Sequence, residues 1–320
     1  VDLAKTVKKF IDAKGDRALP LLLAYSGGPD SKALLYALLE AGIKPHLAHV
    51  DHGWREESAR EAAELQTEAV ELDLPFHSIR LPVRPEKNAE DFCRQERLQY
   101  FRKLFDEFPF QALLLAHHKD DVAETALKRI FEGAHLSFLG GMTDVSQLLG
   151  MTIWRPLLTV RKKELLAYLK AKSKIGLYDK TNDDPVFLRA RLRQIVIPQL
   201  ATTFGKEIVP NLALLSIRAF ELKEYLDRKV ASIPKLRGEW GVAFDLKGVE
   251  RIEARHLLKA QIPSRLQIEV ILDVPPKPEG RLFSSNIYVR NGWVAILQSS
   301  KELTISDVRN LLRQFNIFLL

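Results

Sequence analysis

Six consecutive residues, Ser26-Gly27-Gly28-Pro29-Asp30-Ser31, carry the clearest chemical signal in this chain. They follow an apolar run, Leu21-Leu22-Leu23-Ala24-Tyr25, and open a helical pattern over 30–41. A tight turn leading straight from strand into helix presents backbone N–H groups at the positive end of the helix dipole, where an anion is stabilised. Two glycines let the backbone approach that anion with no Cβ in the way. Pro29 falls in the first helical turn, where a missing N–H costs nothing. The segment has no Gly-Lys-Ser/Thr and is not Gly-x-Gly-x-x-Gly, so neither common nucleotide loop describes it. Asp30 sets a carboxylate beside the anion, which makes sense if a cation such as Mg²⁺ bridges carboxylate and phosphates. The predicted ligand of 26–31 is a phosphate or pyrophosphate. A plain strand-to-helix turn is the competing reading.

A second group, His117-His118-Lys119-Asp120-Asp121-Val122-Ala123-Glu124-Thr125, straddles a predicted strand end and helix start. Helical spacing puts Asp121 and Thr125 on one face, with Glu124 a near neighbour of Asp121. Asp120 or Asp121 could equally cap the helix, and His-His-x-Asp-Asp is no standard zinc spacing. His49-Val50-Asp51-His52-Gly53 closes another strand, with capping as its simplest reading. Arg94 and Arg97 lie one turn apart on a helix, as solvated arginines commonly do. Arg189, Arg191 and Arg193 begin an otherwise apolar helix, against the sense of its macrodipole. Phosphate groups would offset that cost, and so could Asp183 and Asp184.

The elements that must position these groups alternate regularly. Strands are expected over 19–26, 46–51, 76–81 and 111–117, and helices over 30–41, 56–72, 88–108 and 119–131. Such alternation predicts right-handed crossovers and a doubly wound parallel sheet of the α/β class, covered on both faces. The Leu-rich run at 111–117 suits a buried parallel strand. Ligands of such sheets sit at the carboxyl ends of strands, and the clusters at 26–31, 49–52 and 117–121 all fall on that edge. Beyond a glycine-rich loop come a last strand at 152–154, a helix over 161–172, a polar loop over 179–185, a helix over 187–200 and a long amphipathic helix over 207–233. Asn291-Gly292 between apolar runs 287–290 and 293–297 is a hairpin signal. Residues 1–200, 201–235 and 236–320 read as a nucleotide-type domain, a helical connector and a small α+β domain.

Composition narrows the function classes. The hydrophobic fraction of 46% is ordinary for a globular protein. No apolar run approaches a membrane span and no signal core opens the chain, so no membrane partner is expected and cytoplasmic residence is the default. Cys93 is the one cysteine, which excludes an intrachain disulfide and a cysteine-rich metal site. The net charge of +7 favours a polyanionic partner. The excess concentrates between Arg155 and Lys206, as a nucleic-acid track would require.

Taken together, these pieces resemble the N-type ATP pyrophosphatases, PP-loop enzymes with an adenine-nucleotide α-hydrolase-like fold, and among them the tRNA(Ile)-lysidine synthase family. The resemblance rests on Ser-Gly-Gly-x-Asp-Ser at 26–31 and His-His-x-Asp-Asp-x-x-Glu-Thr at 117–125. It extends through Arg155-Pro156-Leu157-Leu158 with Glu164-Leu165 and Tyr168, Asp179-x-Thr181-Asn182, Arg189-x-x-Leu192-Arg193 and Ile197-Pro198. It covers about residues 18–200. The resemblance implies a ligase that uses ATP and Mg²⁺ to adenylate C2 of the wobble cytidine in the CAU anticodon of tRNA(Ile), then joins L-lysine to it. It implies ATP binding by Ser26, Gly27, Gly28, Pro29, Asp30 and Ser31, and catalytic roles for Asp30, His117 and Asp121. A lysine pocket of Arg97, Asp121 and Glu124 is implied, with tRNA contacts from Arg94, Arg189 and Arg193 and from the C-terminal domain. Family members often form homodimers. Two positions depart from the family pattern: Glu132-Gly133-Ala134-His135, where Arg-Gly-Ser/Thr-Gly is usual, and Ala190, where Asn is usual. A thiolating PP-loop enzyme would call for paired cysteines, and a non-catalytic tRNA-binding protein would not need Asp30, Asp121 and Glu124 intact.

Overall fold

A computed structural model describes residues 2–51, 53, 58–81, 89–177, 185–274, 281–283, 286–298, 306 and 310. They divide into two units, Val1–Gly133 with Gly140–Ile217, and Ala134–Leu139 with Arg218–Leu320. The polar loop at 179–184, His52, the first residues of the helices expected at 56 and 88, and the prolines at 275–278 lie outside the described residues.

In the first unit, β1 (Leu21–Ala24) lies between β2 (His46–Asp51) and β4 (Ala112–Leu114), parallel to both. Outside β2 comes β3 (Phe76–Arg80), and beyond β4 come β6 (Met151–Trp154), parallel to β4, and β5 (Val145–Leu148), antiparallel to β6. Among the described residues this makes a six-stranded sheet in the order β3-β2-β1-β4-β6-β5. The two-residue period of a strand gives it two cores. Leu21 and Leu23 face one layer, with Val7 and Ile11 of α1 (Leu3–Lys14), Leu34 and Leu38 of α2 (Pro29–Glu40), Leu65 of α3 (Ser58–Glu71) and Leu165 of α6 (Lys162–Ala171). Leu22, between them, faces the other, with Phe101 and Leu104 of α4 (Ala89–Glu107) and with Met151 and Ile153. Leu22 and Leu23 are wholly buried, and deleting a side chain so enclosed costs about 2–5 kcal/mol.

The chain steps outward from β1 to β2 and β3, then α4 returns it to β4 on the other side of β1. Strand order reverses between β1 and β4, and a crevice opens there at the carboxyl ends. The loop 26–31 leaves β1 at this point, and residues 115–118 leave β4 toward α5 (Lys119–Phe131). The strand expected over 111–117 is thus shorter in its sheet pairing, although the Leu115 N–H still donates to the Trp154 carbonyl and Leu115 and Ala116 pack against the two cores.

Two further elements differ from expectation. The glycine-rich loop contains β5, which pairs with β6 through a tight turn at Leu149 (φ 50°) and Gly150 (φ 74°), the left-handed geometry that fits a two-residue hairpin. The helix expected over 187–200 is α7 (Leu188–Arg191), a π-helical turn over Leu192–Val196, and α8 (Ile197–Phe204). Pro198 has no N–H to give the preceding turn, and the Ile197 N–H reaches back to the Leu192 carbonyl instead.

The second unit takes up the end of α9 (Val209–Ala231) and, among the described residues, a five-stranded sheet in the order β7-β8-β11-β10-β9. Its strands are β7 (Lys235–Gly238), β8 (Gly241–Asp245), β9 (Arg281–Phe283), β10 (Ile287–Arg290) and β11 (Trp293–Leu297), all antiparallel. The β10–β11 turn is the expected one, with Asn291 and Gly292 both at positive φ. Helices α10 (Arg251–Lys259) and α11 (Arg265–Leu272) supply Leu258, Ile268 and Ile271 to a core with Ile287 and Val294. A polar line crosses this unit: Ser137 Oγ lies 2.9 Å from His256 Nδ1, and His256 Nε2 lies 2.8 Å from Asp227 Oδ1. No described helix is long and apolar enough to cross a membrane.

Candidate active site

The loop after β1 is held by its own hydroxyls. Ser31 Oγ donates to the Gly28 carbonyl at 3.1 Å, leaving Ser26 Oγ, 3.1 Å away, to donate to Ser31 Oγ. Ser26 Oγ also accepts the Gly28 N–H at 3.3 Å. Gly28 is the N-cap of α2 and makes no side-chain cap, with Pro29 in the first turn, so the start of the helix is open to an external acceptor. Gly27 has φ 74°, and a Cβ there would stand 2.6 Å from Leu65 Cδ2 and 2.7 Å from Leu177 Cδ1. Gly176 answers it from the other side: a Cβ there would meet the Pro29 backbone at 2.5 Å, and the Leu177 N–H donates to the Gly27 carbonyl at 2.8 Å. Both glycines are required by close approach as well as by φ at Gly27.

Asp30 meets Lys162 and His118 in front of this loop. Lys162, the first residue of α6, pairs its Nζ with Asp30 Oδ1. His118 Nε2 lies 3.6 Å from the same oxygen, with the His118 ring only 1% exposed. Burial alone would push the Asp30 carboxyl up, but His118 and Lys162 outweigh it and hold it below the usual carboxylate range. Burial likewise disfavours protonated His118, and Asp30 and Asp121 outweigh it, so its pKa is raised. Asp120 ties the two helix starts together. It accepts the Lys162 N–H at 2.8 Å and the Arg161 guanidinium at 3.2 Å.

On α5, Asp121 Oδ2 accepts the His118 N–H at 2.9 Å, closing the helix start. Glu124, 3% exposed, receives Arg193 on both oxygens, Nε at 2.7 Å and Nη2 at 3.1 Å. Arg193 Nη2 also lies 3.5 Å from Asp121 Oδ1. Burial pushes the Glu124 carboxyl up, and Arg193 offsets that only in part. Arg193 occupies the two carboxylates that the resemblance assigns to a lysine ammonium.

His117 faces a set of arginines. Burial lowers its pKa to about 4; Asp121 works against that, while Arg155, Arg189 and Arg97 add to it. Its Nδ1 is enclosed without a hydrogen-bond partner. Arg97 is exposed as a residue, and desolvation of its guanidinium, then Arg94 and Arg189, lower its pKa. Arg155 is held by the Thr143 carbonyl and Ser146 Oγ, both at 2.9 Å. Three arginines thus act on one histidine, an arrangement suited to anions.

Sequence reading named Ser26, Gly27, Gly28, Pro29, Asp30, Ser31, Arg94, Arg97, His117, Asp121, Glu124, Arg189 and Arg193. The structure brings the loop residues together on the β1 end, joins Asp121, Glu124 and Arg193 in one ion-pair group, and sets Arg94, Arg97 and Arg189 in one electrostatic neighbourhood with His117. His118, not His117, is the histidine beside Asp30. Lys162 and Arg155 were missed. A signal for Lys162 existed: Arg161-Lys162-Lys163 at a helix start opposes the macrodipole, as Arg189 and Arg193 do.

A sequence profile described as a PP-loop domain matches residues 1–200. A tRNA(Ile)-lysidine synthase of Chlamydia muridarum is 41% identical over 219 residues, 68% of this chain and 68% of that one. The chain belongs to the tRNA(Ile)-lysidine synthase family of PP-loop proteins. A relative of the same name from Protochlamydia amoebophila is 37% identical over 269 residues, 81% of this chain and 59% of that protein. The chain therefore spans about three-fifths to two-thirds of the length of these two family members. Among solved structures, the U34-tRNA thiolase NcsA from Methanococcus maripaludis, with its [4Fe-4S] cluster, superposes with a TM-score of 0.54 at 18% identity, over 73% of this chain and 80% of that one. That likeness is one of fold.

Proposed function

We propose that this chain modifies tRNA(Ile) at the wobble cytidine of its CAU anticodon, using ATP and L-lysine. The observation that carries the reading is the meeting of loop 26–31 with the carboxylates of α5 at the β1/β4 crevice, beside a cluster of arginines. In the first step the cytidine C2 oxygen attacks the α-phosphorus of ATP, an O–P bond forms, and the α–β bridge breaks to release pyrophosphate. In the second step the lysine ε-amine attacks C2, the C2–O bond breaks, AMP leaves with the oxygen, and the nitrogen loses a proton.

The open start of α2 and the hydroxyls of Ser26 and Ser31 suit the phosphates. Asp30 offers one carboxylate in front of the loop, and among the described residues no group of three or more His, Cys, Asp or Glu forms a cage. One carboxylate plus phosphates is the donor set Mg²⁺ commonly takes, so Asp30 fits as its protein ligand once Lys162 turns to the phosphates. When bound, Mg²⁺ would neutralise charge on the leaving pyrophosphate. Asp121 and Glu124 suit the ammonium groups of lysine and Arg97 its carboxylate. For lysine to use Glu124, Arg193 must leave it, and a tRNA phosphate is an alternative partner for that guanidinium. His117, held neutral, can accept a hydrogen bond from the reacting base or amine.

A thiolating role would need paired cysteines, and this chain has Cys93 alone. The test is incubation with ATP, Mg²⁺, labelled lysine and tRNA, followed by nucleoside analysis. Label at the wobble position supports the reading, and its absence with intact ATP–pyrophosphate exchange would point to another acceptor.

A further inference from the structure

Behind the loop lies a polar network that the reaction scheme does not use. Glu68, on α3, is reached from the residue just before the loop and the residue just after it. The Tyr25 hydroxyl donates to Glu68 Oε2 at 2.6 Å, and Lys32 Nζ lies 3.2 Å from the same oxygen. The other oxygen accepts the Tyr36 hydroxyl, one turn along α2 from Lys32, at 2.9 Å. Lys174 Nζ covers the Tyr36 ring at 4.8 Å from its centroid. The cluster is enclosed: Tyr25 is 1% exposed, and the Lys32 and Glu68 side chains are 11% and 17% exposed. Burial would push the Glu68 carboxyl up, but Tyr25, Lys32 and Tyr36 outweigh it and hold it ionised. One turn before Glu68, Leu65 fills the space that a side chain on Gly27 would need.

We infer that Glu68 is a positioning residue for the phosphate loop, clamping the chain where it enters at Tyr25 and where it leaves at Lys32 and Tyr36. The loop itself has only three hydrogen bonds of its own, each between short groups. Its two ends sit on different elements, a strand and a helix, and a shared carboxylate fixes their separation. That separation sets where the Ser26 and Ser31 hydroxyls and the first N–H groups of α2 point. The clamp also holds Lys32 on the far side of α2 from Asp30, so the cation nearest the loop in sequence is a strut, while Lys162 from a distant helix faces the ligand. A buried ion pair with satisfied hydrogen bonds specifies geometry more than it adds stability.

The inference rests on the ATP-binding part of the proposed function and is tested apart from the lysine step. Binding of a non-hydrolysable ATP analogue is titrated with the whole chain, alongside wobble labelling. E68Q keeps the shape and removes the charge; it is expected to weaken analogue binding about tenfold, equivalent to about 1.4 kcal/mol. E68D is expected to recover part of that loss. Because the two residues act as one unit, K32Q in the E68Q background should cost less than the product of the single losses. Analogue affinity of folded E68Q within about twofold of the parent would overturn the inference, as would full multiplicativity of the two losses. Should E68Q not fold, Y25F and Y36F carry the test: each should weaken binding about threefold, and no change in either would overturn it. A chain that binds the analogue but labels no tRNA would sink the lysidine reading while leaving the clamp standing.

Discussion

Two clusters in this chain use the same side-chain chemistry and differ in what they leave open. In the second unit, Ser137, His256 and Asp227 form a line, with Lys223 on the other Asp227 oxygen. By residue type this is a nucleophile, a base and an acid. Ser137 and His256 are each only 4% exposed, so no substrate can reach the hydroxyl, and the line fastens residues 134–139 to helices α9 and α10. In the first unit the enclosed His117 Nδ1 has no hydrogen-bond partner, and Asp30 and Glu124 are covered by cations from other elements. Complete pairing marks a strut, and replaceable or missing pairing marks a site.

That contrast can be broken or sharpened by substitution. The largest effect is expected for Asp30→Ala, which should slow ATP–pyrophosphate exchange roughly 10²–10³-fold. Filter binding of tRNA should barely change, and normal exchange would remove Asp30 from the chemistry. Next comes Glu124→Ala, with an expected rise of roughly tenfold or more in KM for lysine and little change in exchange. Arg193→Ala is the opposing arm: it frees both carboxylates, so lysine KM should fall while tRNA affinity weakens. A rise in lysine KM there would show that Arg193 is no placeholder.

His256→Ala tests the strut. It strands the Ser137 hydroxyl, and should lower the stability of the second unit by about 1–3 kcal/mol in a denaturant titration. Exchange activity measured well below the transition should stay near the parent value, and a large loss there would argue that the line does more than fasten.

The last effect is spread over a range of pH. The His117 pKa falls to about 4 in the folded chain from an ordinary 6.5. Between those values the unfolded chain binds the extra proton, so folding stability rises with pH through this window and is lost as pH falls through it. His118 has the opposite sign: its raised pKa contributes stability that is full below the ordinary histidine value and is lost as pH climbs through the folded one. Replacing His117 by Asn should flatten the loss between pH 6.5 and 4 by on the order of 3 kcal/mol. An unchanged slope in thermal melts across that range would contradict the buried neutral imidazole.

Much of the fold was legible because it rests on local rules. The strand at 46–51 and the helix at 119–131 follow their apolar patterns, and the hairpin at 291–292 follows turn chemistry. The short β5 was not, because its residues are only half-buried and exposed, and show no clean alternation. The break at Leu192–Val196 depends on one missing N–H at Pro198, which periodicity does not weigh.

By itself the sequence determined the Ser-Gly-Gly-x-Asp-Ser turn, the carboxylates of α5 and the family they resemble, since these depend on residue types at fixed short spacing. Only the tertiary structure decided who stands next to whom. It set Lys162 on Asp30 across 132 positions and Arg193 on Glu124 across 69. It chose His118 over His117 as the neighbour of Asp30, and set Glu68 behind the loop. Those pairings come from the reversal of strand order between β1 and β4 and from helices packed on both faces, and Coulomb attraction and desolvation act through space rather than along the chain.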